Sequence, residues 1–227
     1  MTTYNIAIDG PAGAGKSTIA RRVAKELGFI YVDTGAMYRA MALYFLREGI
    51  SRDNEKAIEA ACSRIDISIR YHQGAQQVLL NGEDVSGLIR TEEVSRMTSA
   101  VSVYAPVRQK LLELQRQLAR TENVIMDGRD IGTCVLPRAQ TKIYLTAGSH
   151  VRALRRFKEL EEKGQMCNLE EIEHDIIERD YRDMHRDIAP LKRAEDAVLI
   201  DSSNMTIDQV VDAIMETART QGLKDDR

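Results

Sequence analysis

The chain has 227 residues, a length one α/β domain can occupy alone, with 43% hydrophobic residues and a formal net charge of −3. That balance gives the whole molecule no pull toward nucleic acid or an anionic membrane surface. No apolar run approaches the ~20 residues that a bilayer-spanning helix needs.

Five short β-rich runs stand out: Tyr4 to Asp9, Phe29 to Val32, Asn123 to Asp127, Lys142 to Leu145 and Ala197 to Asp201. Most are continuous apolar segments, as in parallel strands covered on both faces, and helical patterns separate them. The alternation predicts an α/β fold with a central parallel sheet. One stretch differs. Ile65 to Tyr71 alternates strictly between apolar and polar, then come a Gly-containing turn, Gln77 to Leu80, Asn81-Gly82 and a short run to Val85. This predicts a small antiparallel meander with one wet face, inserted on the main fold.

Helix starts are legible too. Asn168 with Glu171, and Thr206 with Gln209, resemble capping boxes, and Pro106 opens a helix running toward Arg120. The short charged tail after Gly222 is expected to fray. Cys62, Cys134 and Cys167 are odd in number and far apart, which argues against a disulfide framework and for a reducing, cytoplasmic compartment. No basic-then-apolar leader opens the chain. His72, His150, His174 and His185 share no ligand-like spacing, so no zinc site is expected.

Gly10-Pro11-Ala12-Gly13-Ala14-Gly15-Lys16-Ser17 matches GxxxxGK[ST] at every fixed position, directly after an apolar strand and before a helical run from Thr18 to Leu27. The glycines let backbone N–H groups turn inward around phosphate oxygens, and the helix N-terminus adds its positive dipole end. Lys16 can reach the β- and γ-phosphates, and the Ser17 hydroxyl can ligate Mg²⁺. The motif says nucleoside triphosphate without saying which reaction follows. No guanine-recognition NKxD exists, and Val124-Ile125-Met126-Asp127 is followed by Gly128-Arg129-Asp130 rather than a second acid. An arginine at that strand end suits a kinase, since ligands bind at strand C-termini in open parallel sheets.

A small kinase must neutralise donor and acceptor phosphates, and arginine offers planar bidentate geometry for that task. Three clusters supply it: Arg39 in DTGAMYR; Arg152, Arg155 and Arg156 on one helix face; and Arg179, Asp183 and Arg186 within one helical stripe. Each also has a plainer reading. Arg39 can be a surface cation, Arg155 and Arg156 can pair with Glu159 and Glu161, and the third cluster can be a salt-bridge ladder.

The stretches IDGPAGAGKST, VDTGAMYRA, LNGEDVSGLIRTEEV, PVRQKLLELQR, VIMDGRDIGT and IIERDYRDMHRDIAPL together resemble the bacterial-type cytidylate kinases, which are P-loop nucleoside monophosphate kinases. The resemblance implies an α/β fold with a five-stranded parallel sheet, helices on both faces and a small antiparallel β insert. It implies one kinase domain over residues 1–227, a monophosphate-binding region at about 34–105 and a mobile lid at about 152–168. Gly10, Pro11, Ala12, Gly13, Ala14, Gly15, Lys16, Ser17 and Thr18 would hold ATP phosphates. Arg39, Arg129 and Arg186 would grip the acceptor phosphate, with Gly128 beside them. Arg179 and Asp183 would hold its ribose. Asp130, Arg108 and Ser99 would read the cytosine edge, with Thr34 and Tyr38 in the same region. Arg155 and Arg156 would sit on the lid, and Lys16, Arg129, Arg155, Arg156 and Arg186 would carry catalysis. Family members with serine at the third P-loop position differ from this chain, which has Ala12.

Base chemistry fits this assignment, because a carboxylate such as Asp130 accepts from the cytosine amine but meets uracil's oxygen unfavourably. Asp130 as a loop carboxylate paired with Arg129 or a helix N-terminus, and Ser99 as a plain helix-surface serine, stay open as bland alternatives. The implied reaction is ATP-dependent phosphorylation of CMP, and of dCMP, to CDP or dCDP with release of ADP, with Mg²⁺ and in a monomer. A kinase for UMP or shikimate, and more remotely a non-catalytic ATP-binding module, are the alternatives.

Overall fold

The computed structural model describes residues 3–72 and 75–223. The turn expected at residues 73–74 and the charged tail at 224–227 lie outside the described residues. In chain order the elements are β1 (Asn5–Asp9), α1 (Lys16–Leu27), β2 (Ile30–Asp33), α2 (Thr34–Arg47), α3 (Glu55–Cys62), β3 (Ile67–His72), β4 (Ala75–Leu80), β5 (Glu83–Asp84), α4 (Glu92–Val101), α5 (Ala105–Thr121), β6 (Val124–Gly128), β7 (Thr141–Thr146), α6 (Ser149–Glu162), α7 (Leu169–His185), β8 (Val198–Asp201) and α8 (Ile207–Thr220). A π-helical turn, Ile131–Val135, follows β6. The chain divides into two compact units, Met1–Tyr31 with Glu122–Arg227, and Val32–Thr121.

The first unit is built on a five-stranded sheet in the order β2-β6-β1-β7-β8. β1 pairs parallel with β6 and β7, and β7 pairs parallel with β8. Ile6, Ala7 and Ile8 are all fully buried, so both faces of β1 are shielded from water, as its unbroken apolar run requires. One core cluster joins Ile6, Ile8, Ile125, Ile143 and Leu145 of the strands to Ile19 and Val23 of α1 and Val211 and Ile214 of α8. Each such side chain contributes roughly 1.5–3 kcal/mol by leaving water. α8 begins in a complete capping box, Thr206 with Gln209. At α7 the Asn168 side chain instead accepts from both Glu170 and Glu171 amides, an N-cap without the reciprocal side-chain bond.

Chain order decides where ligands go. The chain leaves β1 toward β2 on one side and leaves β6 toward β7 on the other. In open parallel sheets such a reversal is where ligands bind, here at the C-terminal ends of β1 and β6.

The second unit carries the antiparallel meander β3-β4-β5, with Ile67 opposite Leu80 and Ile69 opposite Val78. Asn81 and Gly82 both have positive φ, at 49° and 86°, which is the turn an Asn-Gly pair favours between antiparallel strands. The expected alternation holds only in part. Ile65 and Ile67 are buried, but β3 runs outward into solvent and Tyr71 is exposed. α2 is capped by Asp33, whose carboxylate accepts from the Ala36 amide at 2.8 Å.

Candidate active site

The loop after β1 turns tightly because its glycines allow it. Gly10, Gly13 and Gly15 have φ of 149°, 76° and 85°. At Gly10 a Cβ would stand 1.9 Å from the Leu145 carbonyl oxygen, so no side chain fits. Pro11 and Ala14 are buried and Ala12 is half-buried. The Gly15 carbonyl accepts the amides of Thr18 and Ile19, each at 3.1 Å, and closes the first turn of α1. Lys16 Nζ donates back across the loop to the Pro11 carbonyl at 2.7 Å. Burial and the Arg129 charge push the Lys16 ammonium well below the ordinary lysine pKa, against the pull of Asp127 and Asp9.

Beside the loop, Ser17 Oγ donates to Asp127 Oδ2 at 2.7 Å, and Tyr31 donates its hydroxyl to Oδ1 at 2.9 Å. A hydroxyl and a carboxylate are hard oxygen donors of the kind Mg²⁺ takes. They fit the metal that a phosphate loop implies, and Asp127 joins Ser17 as the second protein group able to hold it. The composition of β6 gave a signal for Asp127, since the strand's apolar run ends on this acid next to β1.

The loop after β6 brings several expected residues together. Arg129 Nε donates to Asp183 Oδ2 at 2.8 Å, and its Nη1 reaches the Gly128 carbonyl at 3.3 Å. Burial raises the Asp183 carboxyl, but the Arg129 charge and hydrogen bond, helped by Arg179 and Arg186, hold it below the ordinary value. Arg186 Nη2 lies 3.5 Å from Asp130 Oδ1, with both side chains nearly buried. Asp130 therefore faces Arg186. Arg179 acts on Lys16 through its charge. The expected single stripe of Arg179, Asp183 and Arg186 is corrected at its end. α7 stops at His185, and Arg186 is extended, with ψ of 143°, so that its Nε can donate to the Ala189 carbonyl at 2.7 Å.

The three arginines of α6 part company. Arg152 is buried. It pairs with Asp180 Oδ2 at 2.7 Å and donates to the carbonyls of Ala147 and Ala12, the latter in the phosphate loop, at 2.8 and 2.9 Å. Arg155 donates to the Ser202 carbonyl at 2.7 Å, at the C-terminal end of β8. Arg156 is exposed and pairs with Glu159 at 3.0 Å, the plainer reading for that residue. Nothing in the spacing distinguished the buried member from the exposed one.

In the second unit Thr34 is buried at the start of α2. Arg39 Nη2 pairs with Asp33 Oδ2 at 3.0 Å, and Arg90, unnoticed in the sequence, reaches the same oxygen at 3.4 Å. The Arg108 guanidinium lies 5.9 Å from the Tyr38 ring centroid, and its Nη1 donates to the Ser102 carbonyl at 3.4 Å. Ser99 lies on α4, half-buried.

Two strand-end loops, one wrapped around a lysine and one led by an arginine, place fixed cations where phosphate oxygens bind in a parallel sheet. That is the arrangement of a P-loop phosphotransferase. The cytidylate kinase family model matches residues 6–220, and the chain belongs to the cytidylate kinase family. It is 51% identical over 211 residues to a cytidylate kinase of Lactobacillus gasseri, covering 93% of this chain and 92% of that one. To a cytidylate kinase of Caldicellulosiruptor saccharolyticus it is 50% identical over 216 residues, covering 95% and 96%. Among solved structures, an uncharacterized protein from Eubacterium ventriosum matches with a TM-score of 0.55 at 11% identity, covering 96% of this chain and 99% of that one, a likeness of fold alone.

Proposed function

We propose that the protein transfers the terminal phosphoryl group of ATP to the 5′-phosphate of CMP, and of dCMP, giving ADP and CDP or dCDP. The observation that carries this reading is the Arg129–Asp130 loop after β6, set in the strand next to the phosphate loop, in a chain of the cytidylate kinase family. In this reading Lys16, with the amides of residues 10–18, holds the donor phosphates. Arg129 and Arg186 neutralise the acceptor phosphate, with Arg39 of the second unit. Arg179 and Asp183 hold the ribose. Asp130, Ser99 and Arg108 recognise the cytosine edge, Asp130 accepting from its amine.

Ser17 and Asp127 would hold Mg²⁺, which when bound neutralises phosphate charge. No general base is needed, because the acceptor oxygen is already ionised near neutral pH. Residues of about 152–168 serve as the lid in the same reading. Arg156 is its readily released member, since an exposed pair such as Arg156–Glu159 contributes only ~0–1 kcal/mol. Ala12 offers no hydroxyl to the acceptor, so positioning falls to backbone amides and arginines. The enzyme is proposed to be a cytoplasmic monomer. No helix among the described residues is long and apolar enough to cross a membrane.

A panel of acceptors with coupled ADP detection tests the reading. CMP and dCMP are expected to stimulate ADP release well above UMP, other monophosphates and shikimate. Preference for another acceptor overturns the CMP assignment, and ATP binding without acceptor-stimulated release overturns the kinase reading.

A further inference from the structure

β1 ends on Asp9, one residue before the phosphate loop, and its partner in register on β6 is Gly128, one residue before Arg129. Asp9 is buried, and its carboxylate reaches across to the loop after β6. Its Oδ1 accepts from the Ile131 amide and its Oδ2 from the Gly132 amide, both at 2.7 Å. Those are the first two amides of the π-helical turn, which have no partner of their own inside it. The carboxylate thus acts as an N-cap supplied from another strand, through two short charge-assisted bonds.

The opposite side is closed as well. A Cβ on Gly132 would lie 3.3 Å from Asp9 Oδ2 and 3.3 Å from Lys142 Cδ. Lys142 is itself fixed by Asp196 at 2.7 Å and the Pro137 carbonyl at 2.6 Å. Gly132 is therefore packed between β1 and β7, where a Cβ would press on both the Asp9 carboxylate and the Lys142 side chain.

We propose that Asp9 is a positioning residue for phosphoryl transfer: by capping the turn that follows Arg129 and Asp130, it fixes the acceptor-binding loop against the phosphate loop. The role of that loop rests on the CMP kinase reading, while the capping geometry does not. A misplacement of ~1 Å in such a loop costs on the order of 10² in rate, which is the scale the proposal predicts. The carboxylate is kept although burial acts against it, raising its pKa to about 6 despite the Gly132 and Ile131 amides.

The test uses the full chain with Asp9→Asn, whose amide group must turn a donor toward one of the two backbone N–H groups, and Gly132→Ala, which wedges the same contact from the other side. Amide hydrogen exchange at Ile131 and Gly132 is measured in the free enzyme. Kd for Mg-ATP, and kcat and KM for the best acceptor of the panel, are measured beside it. Both variants are expected to speed exchange at the two amides, to lower acceptor kcat/KM by ~10–100-fold, and to leave the Mg-ATP Kd within ~3-fold. Faster exchange with unchanged acceptor kinetics would make Asp9 merely structural and overturn the proposal. An equal loss of ATP and acceptor affinity, or failure of both variants to fold, would place Asp9 in the general stability of the sheet and overturn it too. A wild-type enzyme that prefers another acceptor refutes the CMP reading and leaves the Asp9 result intact.

Discussion

Arg152 on α6 and Asp180 on α7 form a buried ion pair at 2.7 Å, and the same guanidinium holds the phosphate-loop carbonyl of Ala12 at 2.9 Å. Arg152 is thus a strut for the loop rather than one of the cations facing outward on α6. The packing is close: a Cβ on Gly13 would lie 3.3 Å from Arg152 Cβ.

Removing one partner of such a pair leaves a buried charge without compensation, a cost of about 3–5 kcal/mol. Arg152→Met is expected to lower Tm by roughly 6–20 °C in a chain of this size. Asp180→Asn is expected to cost at least as much, because it leaves the Arg152 guanidinium, which stays charged, buried without its counter-charge. The double variant Arg152→Met/Asp180→Leu is expected to be more stable than Arg152→Met alone. Thermal denaturation of the three proteins checks this, and a double variant less stable than Arg152→Met shows that the ion pair is not the source of the effect.

Ser17 and Asp127 share the hydrogen bond that a metal would take over, and Tyr31 holds the other Asp127 oxygen. Asp127→Asn is expected to raise the Mg²⁺ concentration for half-maximal activity by ~10-fold or more. Tyr31→Phe removes only the outer support and is expected to raise it by a few fold, with ATP binding in the absence of metal unchanged. Titrating Mg²⁺ at fixed ATP, alongside metal-free ATP binding, separates the two effects.

Arg129→Ala is expected to lower turnover by ~10³ or more, the range for arginine-type charge stabilisation in phosphoryl transfer. Asp130→Ala is expected to narrow the gap between CMP and UMP while leaving KM for ATP nearly unchanged. Steady-state kinetics with both acceptors decide it. A near-normal Arg129→Ala enzyme, or an unaltered CMP preference in Asp130→Ala, would falsify the corresponding role.

The pH dependence of stability follows from Asp9. Its carboxyl is raised from 3.8 to about 6, first by burial, then by Asp130, against the amides of Gly132 and Ile131 and the charge of Lys16. Between those values the folded protein binds a proton that the unfolded chain has released. Stability from this group is therefore full below pH ~4, falls as pH rises through about 6, and is then lower by about 3 kcal/mol. The stability of Asp9→Asn relative to wild type should consequently rise between pH 4 and 6 and stay level above pH 7. Denaturant unfolding across that range measures the difference, and a flat difference shows that Asp9 does not titrate there.

The sequence by itself determined the phosphate loop, because its spacing needs only neighbouring residues: a strand, glycines that reach positive φ, and a helix starting at Lys16. It determined the five sheet strands to within about two residues, because central strands such as β1 and β6, covered on both faces, must be continuously apolar, while β8 keeps an apolar run with Val198 and Leu199 exposed. The Asn81-Gly82 turn was legible for the same local reason. The acceptor roles proposed for Arg39, Ser99, Arg108, Arg129 and Asp183 come from the family resemblance, since these residues lie far apart along the chain.

Only the tertiary structure decided which charges face one another. Helical spacing put Arg152, Arg155 and Arg156 on one face but could not say that Arg152 would be buried against Asp180 while Arg156 stayed in water. It could not foresee that α7 ends before Arg186, freeing that side chain to turn toward Asp130. Asp9, Asp127 and Tyr31 acquired their partners only when β1, β6 and β2 became neighbours, in an order that no single stretch of sequence encodes. A hydrogen bond between residues more than a hundred positions apart is a property of the packed sheet, and there the local pattern has nothing to say.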